Sequence, residues 1–238
     1  MDWAEEVTSR VAAVRRGVAE AADRSGRVPG DVTIVAVTKT FPPEAVHAAV
    51  AAGVPDVAEN YVQEARDKRA RVPGAARWHL IGTLQRNKVR MAAGLFDRIH
   101  TVEAPRLASA LDAAAAMRPS PLPVCVQVNT APHLERRGVR PDALASLARH
   151  VAGCRSLALD GLMTIAPPHL APAEVRRHFR LLRELRDATA EAVGLELVHL
   201  SMGMSEDFLI AVEEGATLLR LGRVLFGPRN PEPWREEP

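Results

Sequence analysis

The run Val32-Thr33-Ile34-Val35-Ala36-Val37 is apolar at both alternating parities. Successive strand side chains point to opposite faces, so neither face of such a run is suited to water. A parallel strand buried on both sides fits it best. Parallel neighbours need crossovers long enough to hold a helix, and the rest of the chain supplies that alternation. Further strands are expected near residues 56–59, 78–81, 98–101, 123–129, 157–165, 196–201 and 218–221. Val7, Val11, Val14 and Val18 mark one apolar face of an opening helix. Another helix enters at Pro42-Pro43 and leaves at Gly53. A long one covers 173–192, with Val175, Phe179, Leu182 and Leu185 on one face and Arg176, Arg177, Arg180, Arg183 and Arg186 on its solvated side. Eight strands alternating with helices favour a single-domain (β/α)8 TIM barrel over an open α/β sheet. The expected boundaries are 1–227 for the barrel and 228–238 for a Pro-rich, charged tail that frays.

Composition narrows the function classes. A net charge of +2 makes no electrostatic case for nucleic acid. No apolar stretch reaches the ~18 residues of a membrane span, and the acidic start does not resemble a signal peptide. Cys125 and Cys154 lack the spacing of a disulfide framework or zinc site, and the histidines form no HExxH pair. A soluble, cytoplasmic protein without nucleic-acid or membrane partners is expected.

Barrel chemistry collects at the carboxyl ends of the strands. Those positions hold Lys39, Asn60, Ile81, Asn129, Met163, Ser201-Met202-Gly203-Met204-Ser205 and Arg220-Leu221-Gly222-Arg223. Lys39 shares parity with Val35 and Val37. If that parity faces inward, burial favours its neutral amine, a nucleophile for an aldehyde; otherwise it is a lysine reaching into water. Ser205 can cap a helix over 206–213 and leave backbone N–H groups near Gly203 for an anion, or simply cap. Gly222-Arg223 forms a second donor loop after the last strand, where barrels commonly bind phosphate. Arg220 shares parity with Leu218 and needs a buried acceptor, either a pyridine nitrogen or a carboxylate such as Glu59. His79 is a pocket-lining or a core histidine.

These segments resemble the pyridoxal 5′-phosphate (PLP) homeostasis family. The resemblance rests on Ala36-Val37-Thr38-Lys39-Thr40, Glu59-Asn60-Tyr61-Val62-Gln63-Glu64 and His79-Leu80-Ile81-Gly82-Thr83-Leu84-Gln85-Arg86-Asn87-Lys88. It continues through Gly161-Leu162-Met163, His199-Leu200-Ser201-Met202-Gly203-Met204-Ser205, Arg220-Leu221-Gly222 and Phe226-Gly227. It implies a barrel like the N-terminal domain of alanine racemase, with Lys39 as the Schiff-base lysine and Asn60 beside the cofactor. It also implies Ser201 and the Gly222-Arg223 backbone at the phosphate, and Arg220 near the pyridine nitrogen. His79, Ile81, Met163, Gly203 and Met204 complete the expected cofactor site, and no metal is expected. Ala58 stands where the family commonly has glycine, and Arg136 where many members have lysine.

The function implied is intracellular PLP homeostasis, by a non-catalytic monomer or weak dimer that holds PLP and delivers it to apo-enzymes. A PLP-dependent amino-acid racemase is the alternative, and a PLP-free phosphate-binding barrel a third. A two-base racemase needs acid–base groups on both cofactor faces. In alanine racemases a second domain brings a tyrosine to that role. The sequence reads as a barrel alone, with Tyr61 as its one tyrosine.

Overall fold

A computed structural model describes residues 3–72, 74, 76–131 and 136–228. Eight parallel strands close in chain order, β1 (Thr33–Val37), β2 (Asp56–Glu59), β3 (Arg77–Leu80), β4 (Arg98–Val102), β5 (Leu122–Gln127), β6 (Leu157–Met163), β7 (His199–Ser201) and β8 (Leu218–Leu221). The β8–β1 pairing that seals the barrel sets Val35 opposite Arg220 and Ala36 opposite Leu221. The (β/α)8 expectation is met, and the open sheet is excluded.

The helices outside are α1 (Trp3–Arg24), α2 (Glu44–Ala51), α3 (Val62–Arg71), α4 (Val89–Leu95), α5 (Pro105–Ala115), α6 (Pro141–Ala152), α7 (Pro172–Val193), α8 (Phe208–Glu213) and α9 (Arg223–Phe226). Helix α1 buries Val7, Val11, Val14 and Val18, the face its spacing marks. Its Trp3 joins Phe41 and Phe226 in an aromatic cluster that ties α1 to α9.

Three strand expectations overrun by two residues or more. Residues 196–198 lie outside β7, 164–165 outside β6, and β5 ends at Gln127, with Val128 continuing only as an isolated bridge to Val139. Beyond β6 the chain must leave the sheet, because Pro167 and Pro168 cannot donate to a ladder. The arginines of α7 are not simply a solvated face. Arg176, Arg180 and Arg183 converge on the buried carboxylate of Glu214, just past α8, at 3.0–3.1 Å. The tail expected to fray lies, apart from Pro228, outside the described residues.

Barrel interiors are usually layers of branched apolar side chains. Here Val35, Val37, Ala58 and Leu218, with Ile81 against them, form an inner apolar cluster. Parity with Val35 and Val37 is therefore the inward parity of β1. Buried polar side chains share the interior: Asp56, His79, His100, Ser201 and Arg220.

Candidate functional site

A cavity of about 650 Å³ opens at the carboxyl ends of the strands. Its walls include Val37 and Lys39 after β1, Asn60 after β2 and Ile81 after β3. The segment from Ile165 to Leu170 after β6 supplies another wall, and Met204–Asp207 with Arg220, Gly222 and Arg223 supplies the side formed by β7 and β8. Seven of the expected site residues meet here: Lys39, Asn60, Ile81, Met204, Arg220, Gly222 and Arg223.

The sequence contains three lysines, Lys39, Lys68 and Lys88. Lys39 alone among them lines the cavity. Lys68 is fully buried in an ionic network, and Lys88 belongs to a short 3-10 turn over Arg86–Lys88. Asn60 owes its place to Gly82. A Cβ at residue 82 would lie 2.1 Å from the Asn60 carbonyl oxygen, so only glycine lets the two strand ends approach.

Four expected residues do not line the cavity. Met163 is fully buried on β6, opposite Ser201. Gly203 makes the turn after β7 at φ +91, where a Cβ would strike Ala211 at 2.5 Å. His79 and Ser201 lie in a chain of hydrogen bonds within the barrel. Arg220 donates to Ser201 Oγ at 2.7 Å, Ser201 Oγ meets His100 Nδ1 at 2.7 Å, and His100 Nε2 meets His79 Nδ1 at 2.9 Å. His79 Nε2 reaches Asp56 Oδ1 at 3.0 Å, and Arg77 clasps the same carboxylate.

Electrostatics assigns directions along this chain. Burial alone would raise the Asp56 carboxyl, but hydrogen bonds from His79 and Arg77 outweigh it and bring it down to about 2. Asp56 is therefore an ionised acceptor. Burial holds His100 well below the ordinary histidine range, so it is neutral. Arg220 is a donor at one end of this chain and ionised Asp56 an acceptor at the other, with Ser201, His100 and His79 linked between them. The Ser201 hydroxyl is thus engaged inside the barrel by Arg220 and His100.

Arg220 also donates to the Thr164 carbonyl at 2.8 Å. Burial lowers its guanidinium to about 10, so it stays a cation at neutral pH. Glu59, the carboxylate alternative, does not reach it and pairs with Lys68 at 2.8 Å. Ser205 does not cap α8 either. Asp207 precedes that helix and accepts from Met204 N at 2.6 Å, while Ser205 Oγ accepts from Val224 N at 3.2 Å, stapling the β7–α8 loop to α9.

The cavity gathers four cationic side chains, Lys39, Arg136, Arg220 and Arg223, against two carboxylates, Glu206 and Asp207. Arg223 and Glu206 pair at 2.5 Å. The surplus suits an anionic ligand. Arg136 reaches the cavity from a loop shaped by Asn129, whose Oδ1 accepts from Ala131 N and whose Nδ2 donates to the Arg136 carbonyl. The wall from Ile165 to Leu170 and the acid at Asp207 were not singled out by sequence reasoning. The Pro167-Pro168 pair directly after a strand was the available signal.

Comparison with known proteins agrees with this fold. The family described as alanine racemase, N-terminal domain, matches residues 10–230. The pyridoxal phosphate homeostasis protein of Pseudomonas aeruginosa is 40% identical over 225 residues, covering 94% of this chain and 96% of that protein. The structure of PipY from Synechococcus elongatus with PLP bound is 36% identical, with a TM-score of 0.83, covering 93% of this chain and all of PipY. Alanine racemase from Corynebacterium glutamicum, 18% identical with a TM-score of 0.71 over 93% of this chain and 61% of the racemase, shares the fold. The chain belongs to the pyridoxal phosphate homeostasis protein family, built on the alanine racemase N-terminal domain.

Proposed function

We propose that this protein binds PLP in the cavity at the strand ends, with Lys39 as the residue bonded to the cofactor, and serves PLP homeostasis as a carrier. The observation that carries the reading is that Lys39, alone of three lysines, stands in a cavity with a cationic surplus. The relatives named for PLP homeostasis and the PLP-bound PipY structure support it.

The residues present fit the cofactor. Lys39 brings a primary amine to the cavity, Asn60 and Ile81 line the same cavity, and the Gly222-Arg223 loop with Met204 offers the anion-binding side. Arg220, already anchored through Ser201 and Thr164, can donate to the pyridine nitrogen and so leave it unprotonated. PLP when bound supplies an electrophilic aldehyde and an electron-withdrawing ring. An arginine partner weakens the ring as an electron sink. His79, Met163 and Ser201 act from beneath the cofactor, as packing and relay.

Delivery is tested by mixing the PLP-loaded protein with an apo PLP-dependent enzyme. Reactivation is expected, with Lys39→Ala unable to deliver covalently held cofactor. Incubation with L-amino acids in heavy water tests the enzyme alternative. Exchange at the α-carbon no faster than with free PLP supports the carrier. Rapid exchange with inversion, near the ~10 per second typical of enzymes, overturns it.

A further inference from the structure

Beside the residues that flank Lys39 in sequence, and outside the cavity lining, lies an ionic cluster in which one ammonium faces two carboxylates. Lys68 on α3 is fully buried. Its Nζ donates to the Thr38 carbonyl at 2.7 Å, Glu59 Oε1 at 2.8 Å and Glu64 Oε1 at 2.7 Å, which uses all three ammonium protons. The same two carboxylate oxygens hold the residues on either side of Lys39. Glu59 Oε1 accepts from Thr38 Oγ1 at 2.7 Å, and Glu64 Oε1 accepts from Thr40 N at 2.6 Å.

Thr40 has φ +68, a left-handed conformation that a β-branched residue rarely adopts. Such a conformation persists when its surroundings over-determine it. The Glu64 bond to Thr40 N and the Phe41 N bond to the Thr38 carbonyl do so here. The turn breaks the run of β1 directly after Val37 and fixes how residue 39 leaves the strand. Burying three charges is costly, and an apolar cluster of equal volume would pack as well. An apolar cluster could not hold Thr38 and Thr40 at these three points. Burial raises the Glu59 carboxyl above its ordinary range, and Lys68 opposes that rise.

We propose that Lys68, with Glu59 and Glu64, is a positioning latch that fixes the turn at 38–40 and so presents Lys39 Nζ to the cofactor's aldehyde carbon. The inference rests on the reading that Lys39 bonds the cofactor. In that bond the neutral amine adds to the aldehyde carbon and the aldehyde oxygen leaves as water, so no oxidant or reductant is needed. The latch touches neither cofactor nor cavity. Its effect is on where the amine sits and how readily it reacts.

The test separates cofactor retained from cofactor bonded. Wild type, Lys68→Met, Glu64→Ala and Glu64→Gln are loaded with PLP and desalted. One portion gives total PLP after release in alkali. Another is reduced with borohydride, and the adduct on Lys39 is quantified by peptide mapping. In cofactor-free protein, reductive methylation by formaldehyde gives the rate at Lys39 relative to Lys88. For Lys68→Met and Glu64→Ala the bonded fraction of retained PLP should fall at least fivefold, and the Lys39 to Lys88 ratio should change. Glu64→Gln keeps an acceptor for Thr40 N and should restore most of the bonded fraction. Should Lys68→Met fail to fold, the two Glu64 variants carry the comparison. A bonded fraction equal to wild type in the folded variants, with an unchanged labelling ratio, overturns the latch. Absence of an adduct on Lys39 in the wild-type protein overturns the underlying reading instead.

Discussion

Arg220 and Ser201 are where one side chain decides the meaning of another. Because the Ser201 hydroxyl bridges Arg220 and His100, Ser201→Ala strips a partner from two buried groups. The loss should be about 1–3 kcal/mol of stability in the cofactor-free protein, read by urea denaturation. A phosphate-holding Ser201 would behave oppositely, with cofactor-free stability unchanged and PLP affinity reduced. At the far end of the relay, Asp56 has a folded-state pKa below its ordinary value. Its stabilisation is therefore complete above about pH 4 and is lost as pH falls toward 2, worth roughly 2 kcal/mol by linkage. Asp56→Asn should be less stable than wild type at pH 7, with the gap narrowing on acidification. A gap that stays constant from pH 6 to 3 would refute this coupling.

At the scale of elements, the approach of two strand ends places Asn60. Gly82→Ala forces a Cβ into the Asn60 carbonyl, and a backbone shift should cost about 2–3 kcal/mol. Urea denaturation and PLP titration should both register it. A loss under ~0.5 kcal/mol would show that the β3 end has room to give. Elements also show where sequence reading ran out. Helix α2 between Pro43 and Gly53, and the apolar strands β1 and β8, are written in local pattern and were legible. Strand β7 was overextended because apolar Leu197 is buried without joining the ladder. Ser205 matched the cap pattern, yet its hydroxyl serves a loop 19 residues away, a partner that local spacing cannot reveal.

Across the whole molecule, eight repeats of buried strand and helix made the barrel legible, while alternation alone left open which parity of β1 faces inward. The cavity was legible in part. Strand-end position singled out Lys39, Asn60 and Arg220. It could not tell a residue on the wall from one beneath it, so His79, Met163 and Ser201 were grouped with the lining. Depth along the barrel axis depends on stagger between strands, and the register shifts at Ile99/Val102 and Val124/Cys125 leave no mark in composition. The α3 network beside the residues that flank Lys39 was hidden for a similar reason. Lys68 and Glu64 belong to a helix so polar that its local pattern does not mark them for burial, and only the fold turns them inward.

The central claim is that Lys39 carries the cofactor. With only three lysines in the sequence, one experiment addresses it directly. The protein is saturated with PLP, reduced with borohydride, digested and mapped by mass spectrometry, beside Lys39→Ala treated identically. The account predicts the pyridoxyl adduct on the Lys39 peptide and none on Lys68 or Lys88, with covalent labelling abolished in Lys39→Ala. A predominant adduct on another residue, or undiminished labelling of Lys39→Ala, would contradict it.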